Sequence, residues 1–171
     1  MIEPVNIFID TEFTNSETPD LISIALVAQN GESIYLEISD FCKRNCSQFV
    51  MDVVLPLLGK DRCSSMPYSS ASNELMRWLF RYEDQGVCIL YDCQTDWDLL
   101  VKLFYGDLPD WIKGRNSYQM IDRSQFRHFF EVRGLAAHHA LNDAHAMAFS
   151  FNDPNEPVSS NCGDECSDQE N

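Results

Sequence analysis

The chain has 171 residues, 44% hydrophobic content and 11 Phe, 3 Trp and 6 Tyr, which fits one folded domain with a real core and excludes a disordered chain. Its formal charge of −15, from 12 basic and 27 acidic residues, argues against broad attraction to duplex nucleic acid or an anionic membrane. No basic region followed by an apolar run opens the N-terminus, and no apolar run approaches the roughly 20 residues of a spanning helix, so the expectation is a soluble, cytoplasmic protein with no membrane partner.

In chain order, residues 5–10 (VNIFID) read as a first strand. Residues 21–28 (LISIALVA) are a β-rich apolar run, Asn30-Gly31-Glu32 is a turn signal, and residues 33–38 (SIYLEI) alternate as a third strand. These three predict an antiparallel meander. The run FVMDVVLPLL has apolar residues at 49, 50, 53, 54, 57 and 58, a helical face interrupted by Pro56. Residues 70–82 predict a helix with Leu75, Met76, Leu79 and Phe80 on one face and Ser70 or Ser72 as cap. Residues 87–91 (VCILY) predict a short buried strand. A helix over 95–105, stopped by Gly106 and Pro109, a fifth strand over 117–121, a helix over 123–132 ended by Gly134, and a last helix over 140–151 complete the order. A meander followed by helix-linked strands gives an α/β fold with a mixed five-stranded sheet flanked by helices.

From Asn152 the composition changes: residues 152–171 hold six acids, no Lys or Arg and no periodicity, the signature of a disordered acidic tail after a domain over 1–151. Without those six acids the body still carries −9, so the acidity is not confined to the tail. The seven Cys are read as reduced thiols; the pairs Cys42/Cys46 and Cys162/Cys166 have zinc-like spacing, but nothing in the sequence brings them together.

Carboxylates collect where predicted elements end. Asp122 follows the fifth strand and reads as a turn former. After the fourth strand come Asp92, Asp96 and Asp98; Asp98 fits a capping box with Thr95, and Asp96 suits a first helical turn. Asp143 sits in a helix dominated by small and apolar residues, with Leu141, Ala144, Ala148 and Phe151 expected toward the core. Asp10 and Glu12 are hardest to explain locally. They share one face of a strand, repel each other, and are poorly placed unless a cation lies between them. Were Asp10, Glu12, one acid of the second cluster and Asp143 to meet, the all-oxygen donor set would suit Mg²⁺ or Mn²⁺, and two such ions suit phosphoryl chemistry. The attacking water then needs a base, for which His128, His138, His139 and His145 are the available imidazoles.

Asp10-Thr11-Glu12 after an apolar strand, an acid after a later strand, and His138-His139-Ala140-Leu141-Asn142-Asp143-Ala144 together resemble the three motifs of the DEDDh 3′–5′ exonucleases, such as ribonuclease T and polymerase proofreading subunits. The resemblance spans about residues 5–151; its first and third motifs are specific, the second degenerate. It implies a ribonuclease-H-like sheet and a two-metal hydrolase that releases nucleoside monophosphates from a single-stranded 3′ end, RNA before DNA. Asp10, Glu12, Asp96 and Asp143 would hold two Mg²⁺ or Mn²⁺ ions, with Asp92 the alternative to Asp96. His138, which matches the family's spacing of a His, four residues and an Asp, would be the general base. On a helix His138 and His139 point about 100° apart, so only one faces the metals. The backbone at Thr11 and the faces of Phe13 and Trp97 become candidate substrate contacts, with core packing the local explanation for Trp97; Arg123 and Arg127 are candidate phosphate contacts. Trp97 and the compact chain are similar to the small exoribonucleases of bacteria and their phages, and family members often pair, which leaves a homodimer open. The chain lacks the broad basic patch of larger ribonucleases of this type. Two other classes remain: a fold that binds nucleic acid or protein without catalysis, and a ribonuclease-H-like endonuclease.

Overall fold

The computed structural model describes residues 3–60 and 64–152; most of the expected tail, and with it Cys162 and Cys166, lies outside them. A six-stranded mixed sheet has the order β4-β3-β2-β1-β5-β6. Its strands are β1 (Val5–Phe13), β2 (Leu21–Ala28), β3 (Ser33–Ile38), β4 (Ser65–Met66), β5 (Val87–Tyr91) and β6 (Ile112–Asn116). The helices are α1 (Tyr68–Leu79), α2 (Gln94–Leu103), α3 (Arg123–Arg133) and α4 (Ala140–Ser150). Strands β1 to β3 form the expected antiparallel meander, while β5 runs parallel to β1 and β6 parallel to β5. No helix among the described residues is long and apolar enough to cross a membrane.

Strand alternation sorts β1 between two cores. Ile7 and Ile9 are fully buried in the larger one, with Leu75 and Leu79 of α1 and Leu100 and Leu103 of α2. Phe8 points the other way, against Met147 of α4, Leu90 and Ile121. Burying each such side chain contributes about 1.5–3 kcal/mol, enough in sum to carry a costly polar site at one end of the sheet. The face of Phe8 continues through Asp10 and Glu12, so both carboxylates lie on the side covered by α4. Helix α4 lies close because its contacts are small: Ala140 and Ala144 pack on Ala25 and Val27 of β2.

Several elements differ from the sequence reading. The sheet has six strands, not five. Segment 117–121 is not the fifth strand: Tyr118–Met120 is a 3₁₀ turn, and the strand is the preceding Ile112–Asn116. That strand lies at the sheet's edge with only Ile112 buried, so it carries polar residues that mask it as a strand. The apolar Ile121 instead bridges Phe151 and plugs the layer under α4. Strand β4 is two residues long, too short to announce itself. Helix α1 starts at Tyr68, whose N–H donates to Asp40 Oδ1 at 2.8 Å, so neither Ser70 nor Ser72 caps it. Phe80 is half-exposed, and Trp78 takes its expected place in the core. In 49–58 the backbone forms a π-helical turn over Val50–Val54 and a 3₁₀ turn over Leu55–Leu57, where Pro56 stops a regular helix. Helix α2 begins at Gln94 with Cys93 as N-cap, so Thr95 and Asp98 do not form a capping box; Asp98 Oδ1 accepts from the Gln94 side chain.

Gly114 of β6 lies under Trp97, and a Cβ there would stand 2.7 Å from the indole ring. Gly114→Ala is therefore expected to lower unfolding stability by about 1–3 kcal/mol through overpacking. Gly31→Ala, at an open turn, is expected to cost only the strain of its left-handed backbone. Urea unfolding of both variants checks this, and equal losses would contradict it.

Candidate active site

Strand β1 is paired with β2 from Ile7 to Phe13, but with β5 only as far as Phe8. Beyond Phe8 its second edge is open, and helix α2 closes it. Asp96, the third residue of α2 and only 2% exposed, accepts the Thr11 backbone N–H at 3.1 Å and the Thr11 hydroxyl at 2.6 Å through Oδ1. A side-chain carboxylate thus takes the place of a missing strand neighbour.

Five carboxylates converge at this strand end. Ligand oxygens of Asp10, Asp92 and Asp96 all lie within 4.8 Å of one another, as do those of Asp10, Glu12 and Asp143. Asp10 belongs to both groups. The structure therefore brings together all four acids singled out in the sequence, and adds Asp92 beside Asp96 rather than in its place. Asp98 and Asp122 stay apart. Asp122 caps α3, its Oδ1 accepting the Ser124 and Gln125 N–H groups at 2.8 and 3.2 Å. Asp92 is not bare: Arg123 Nη1 donates to its Oδ2 at 3.1 Å.

Two charged carboxylates at such a separation repel by about 3 kcal/mol at an effective dielectric of about 20. The cluster answers by taking up protons. Asp10 is held well above the ordinary carboxylate range by burial and then by Asp96, Asp143 and Glu12. Burial, with Asp143 and Asp96, pushes Glu12 up to about 8. Asp96 is raised to about 7 by burial, against the lowering effect of the Thr11 hydroxyl. Burial raises Asp143 to about 6, opposed by the backbone N–H groups of His138 and His139. An oxygen-only donor set of this density fits a hard divalent cation such as Mg²⁺ or Mn²⁺ and does not suit zinc.

The two histidines are not on a helix, contrary to the helical geometry expected for them. His139 is the N-cap of α4, and His138 precedes it in the left-handed region at φ 62°. For a side chain other than Gly this conformation is uncommon and strained. It turns two successive backbone N–H groups toward Asp143, and that of His139 donates to Oδ2 at 3.2 Å. Their side chains part. The His139 ring packs on Tyr35 at 4.7 Å, its Nδ1 buried without a hydrogen-bond partner. The exposed His138 ring faces the cleft and meets Phe49 edge-on at 5.0 Å. His145 is half-buried in α4, and His128 lies on the exposed side of α3 beside Glu131.

A cleft of about 630 Å³ opens over the carboxylates, lined also by Thr11, Phe13, Ser47, Phe49 and His138. Trp97 does not line it. Its ring stacks on Tyr91 at 5.8 Å and covers Gly114, so it packs against the core, the local explanation available from sequence. Phe49 was missed: it counted as one of several apolar residues on an expected helical face, yet it is 51% exposed. The irregular turns after it are what hold Val50 and Val54 inward and leave Phe49 on the cleft wall.

No protein-family model matches the chain, and no curated protein does. Solved structures do. One, described as the 3′-end specific recognition of a histone mRNA stem-loop by a 3′-exonuclease, superposes with a TM-score of 0.58 at 14% identity over 85% of this chain. This chain spans 61% of that protein's length. Another, a full-length 3′-exonuclease, gives a TM-score of 0.51 at 14% identity, over 86% of this chain and 80% of the other. At that identity the likeness is one of fold: the sheet and its flanking helices form the ribonuclease-H-like architecture of these exonucleases.

The raised carboxyls set the pH dependence of the metal-free chain. A carboxyl whose value is higher folded than unfolded keeps its proton longer in the native state, so the stability these groups contribute is full below about pH 4 and is lost as pH rises through about 6 to 8. With a chelator present, the thermal midpoint is expected to fall between pH 5 and pH 8.5. Asp10→Asn should flatten that fall and raise the midpoint at pH 8 by roughly 2–6 °C. Melts followed by circular dichroism decide it, and a midpoint that climbs over this range would contradict it.

Proposed function

We propose that this chain, through a domain over residues 1–151, is a divalent-metal-dependent 3′–5′ exonuclease that removes nucleoside monophosphates from single-stranded RNA. One observation carries the reading: Asp10 is shared by two carboxylate groups at the floor of a cleft that His138 also lines. Asp10, Glu12, Asp96 and Asp143 would hold two Mg²⁺ or Mn²⁺ ions, with Asp92, tied to Arg123, at the edge of the site. Bound there, the ions supply the positive charge that the scissile phosphate needs.

The residues of the chain do the rest. His138 takes a proton from the attacking water as the water oxygen bonds to phosphorus and the bond from phosphorus to the preceding 3′ oxygen breaks; the departing oxygen takes a proton from solvent, to which His138 later releases its own. The products are a nucleoside 5′-monophosphate and a strand one nucleotide shorter with a new 3′ hydroxyl. Phe13 and Phe49 line the cleft, and aromatic faces of this kind hold terminal bases without reading them, at about 1–3 kcal/mol per base. The Thr11 backbone N–H is engaged by Asp96, so its part is to fix that carboxylate rather than to contact substrate. RNA is supported over DNA by the fold neighbour described with an mRNA 3′ end.

The reading is checked with 5′-labelled single-stranded RNA and DNA, with and without Mn²⁺. A one-nucleotide ladder from the 3′ end is expected only with metal, and RNA should be shortened faster. Asp10→Asn should abolish it, and His138→Ala should slow it by about 10²–10⁴ while leaving metal binding intact. Equal cutting of a substrate blocked by a 3′ phosphate would assign an endonuclease instead.

A further inference from the structure

Charge is unevenly distributed along this chain. Residues 111–139 hold five of the 12 basic residues and only two of the 27 acidic ones, so they carry +3 while the remainder carries −18. The stretch covers β6, the turn after it, α3 and the approach to α4. Of its two acids, Asp122 caps the N-terminus of α3, and the exposed Glu131 lies 4.0 Å from His128.

The fold gathers the cations onto one side. Lys113 and Arg115 are two residues apart on β6, with Gly114 between them facing Trp97 and α2. Their register partners Cys88 and Leu90 belong to the opposite layer, where Phe126 of α3 packs. Lys113 and Arg115 therefore emerge on the α3 side of the sheet edge. Arg123 and Arg127 are four apart on α3 and share a face. Among the described residues neither Arg115 nor Arg127 forms an ion pair. Arg123 lies over the exposed Tyr118 ring at 4.3 Å, and its Nη1 reaches Asp92 at the rim of the carboxylate site. The basic face thus begins at the cleft and runs away from it along α3, a helix about 16 Å long.

We propose that Arg115, Arg123 and Arg127, with Tyr118, bind the sugar-phosphate backbone of a single strand upstream of the 3′ end held in the cleft. This rests on the exonuclease reading. Arginines sharing a face with an exposed aromatic ring, two of them without an ion pair among the described residues, are the chemistry of sequence-tolerant single-strand binding. The strongly acidic remainder repels phosphates, so the face confines attraction to one route into the site.

The test is the double variant Arg115→Ala/Arg127→Ala, with Arg123 kept because it contacts Asp92. With Mn²⁺ present, kcat/KM is measured for a labelled oligoribonucleotide about a dozen nucleotides long and for a dinucleotide, across a range of salt. The long-to-short ratio is expected to fall about tenfold, mostly in KM. The salt dependence of the long substrate should weaken by about 1.4 in log–log slope, for two lost phosphate contacts. Arg115→Lys/Arg127→Lys should restore most of both. A parent that cleaves, with a variant whose ratio and slope match it, overturns this assignment alone. A parent that cleaves neither substrate overturns the exonuclease reading together with it.

Discussion

Like-charge repulsion at the end of β1 is the constraint around which this molecule is arranged. Five carboxylates meet where a core strand loses one of its neighbours. Most proteins would leave such acids in solvent, where they cost nothing. Here Asp96 and Asp143 are buried, and burial is the first cause of every raised value in the cluster. The scaffold supports this with the neighbouring strand β2, in which every residue is buried and all but Ser23 are apolar.

The positioning devices are few and local. Ending β5 short exposes the edge of β1 so that the first turn of α2 can insert Asp96. Alanines let α4 approach the sheet closely enough for Asp143 to reach Glu12. A strained residue before α4, His138, aims backbone donors at Asp143 while leaving its own ring in the cleft. One backbone feature thus fixes a carboxylate and presents an imidazole to the same site.

What was legible in the sequence follows from how each feature is encoded. Strands β2, β3 and β5 are marked by apolar runs or alternation and were read at their observed bounds. Asp10 and Glu12 stood out because an apolar strand ending in two same-face acids has no bland explanation. Strand β6 was misplaced because an edge strand with one buried residue leaves no hydrophobic pattern to read. The start of α1 was missed because its first N–H is satisfied by Asp40, far away in sequence. Phe49 was invisible for a related reason: whether an apolar residue in an irregular turn faces inward depends on backbone geometry that periodicity does not encode. Arg123 and Arg127 were legible as candidate phosphate contacts, but the face they share with Arg115 was not, because only the pairing of β6 with β5 and the packing of α3 bring the three together.

On the proposed function, this acid cluster is a cage for two cations. Its most direct measurement is the amount of free Mn²⁺ left in solution, followed by electron paramagnetic resonance, as the metal is titrated into metal-free protein at pH 8. Two saturable ions per chain are expected, with protons released as the raised carboxyls give way to metal. A chain that binds no Mn²⁺ up to millimolar concentration, or that binds it equally well after Asp10→Asn, would contradict the account.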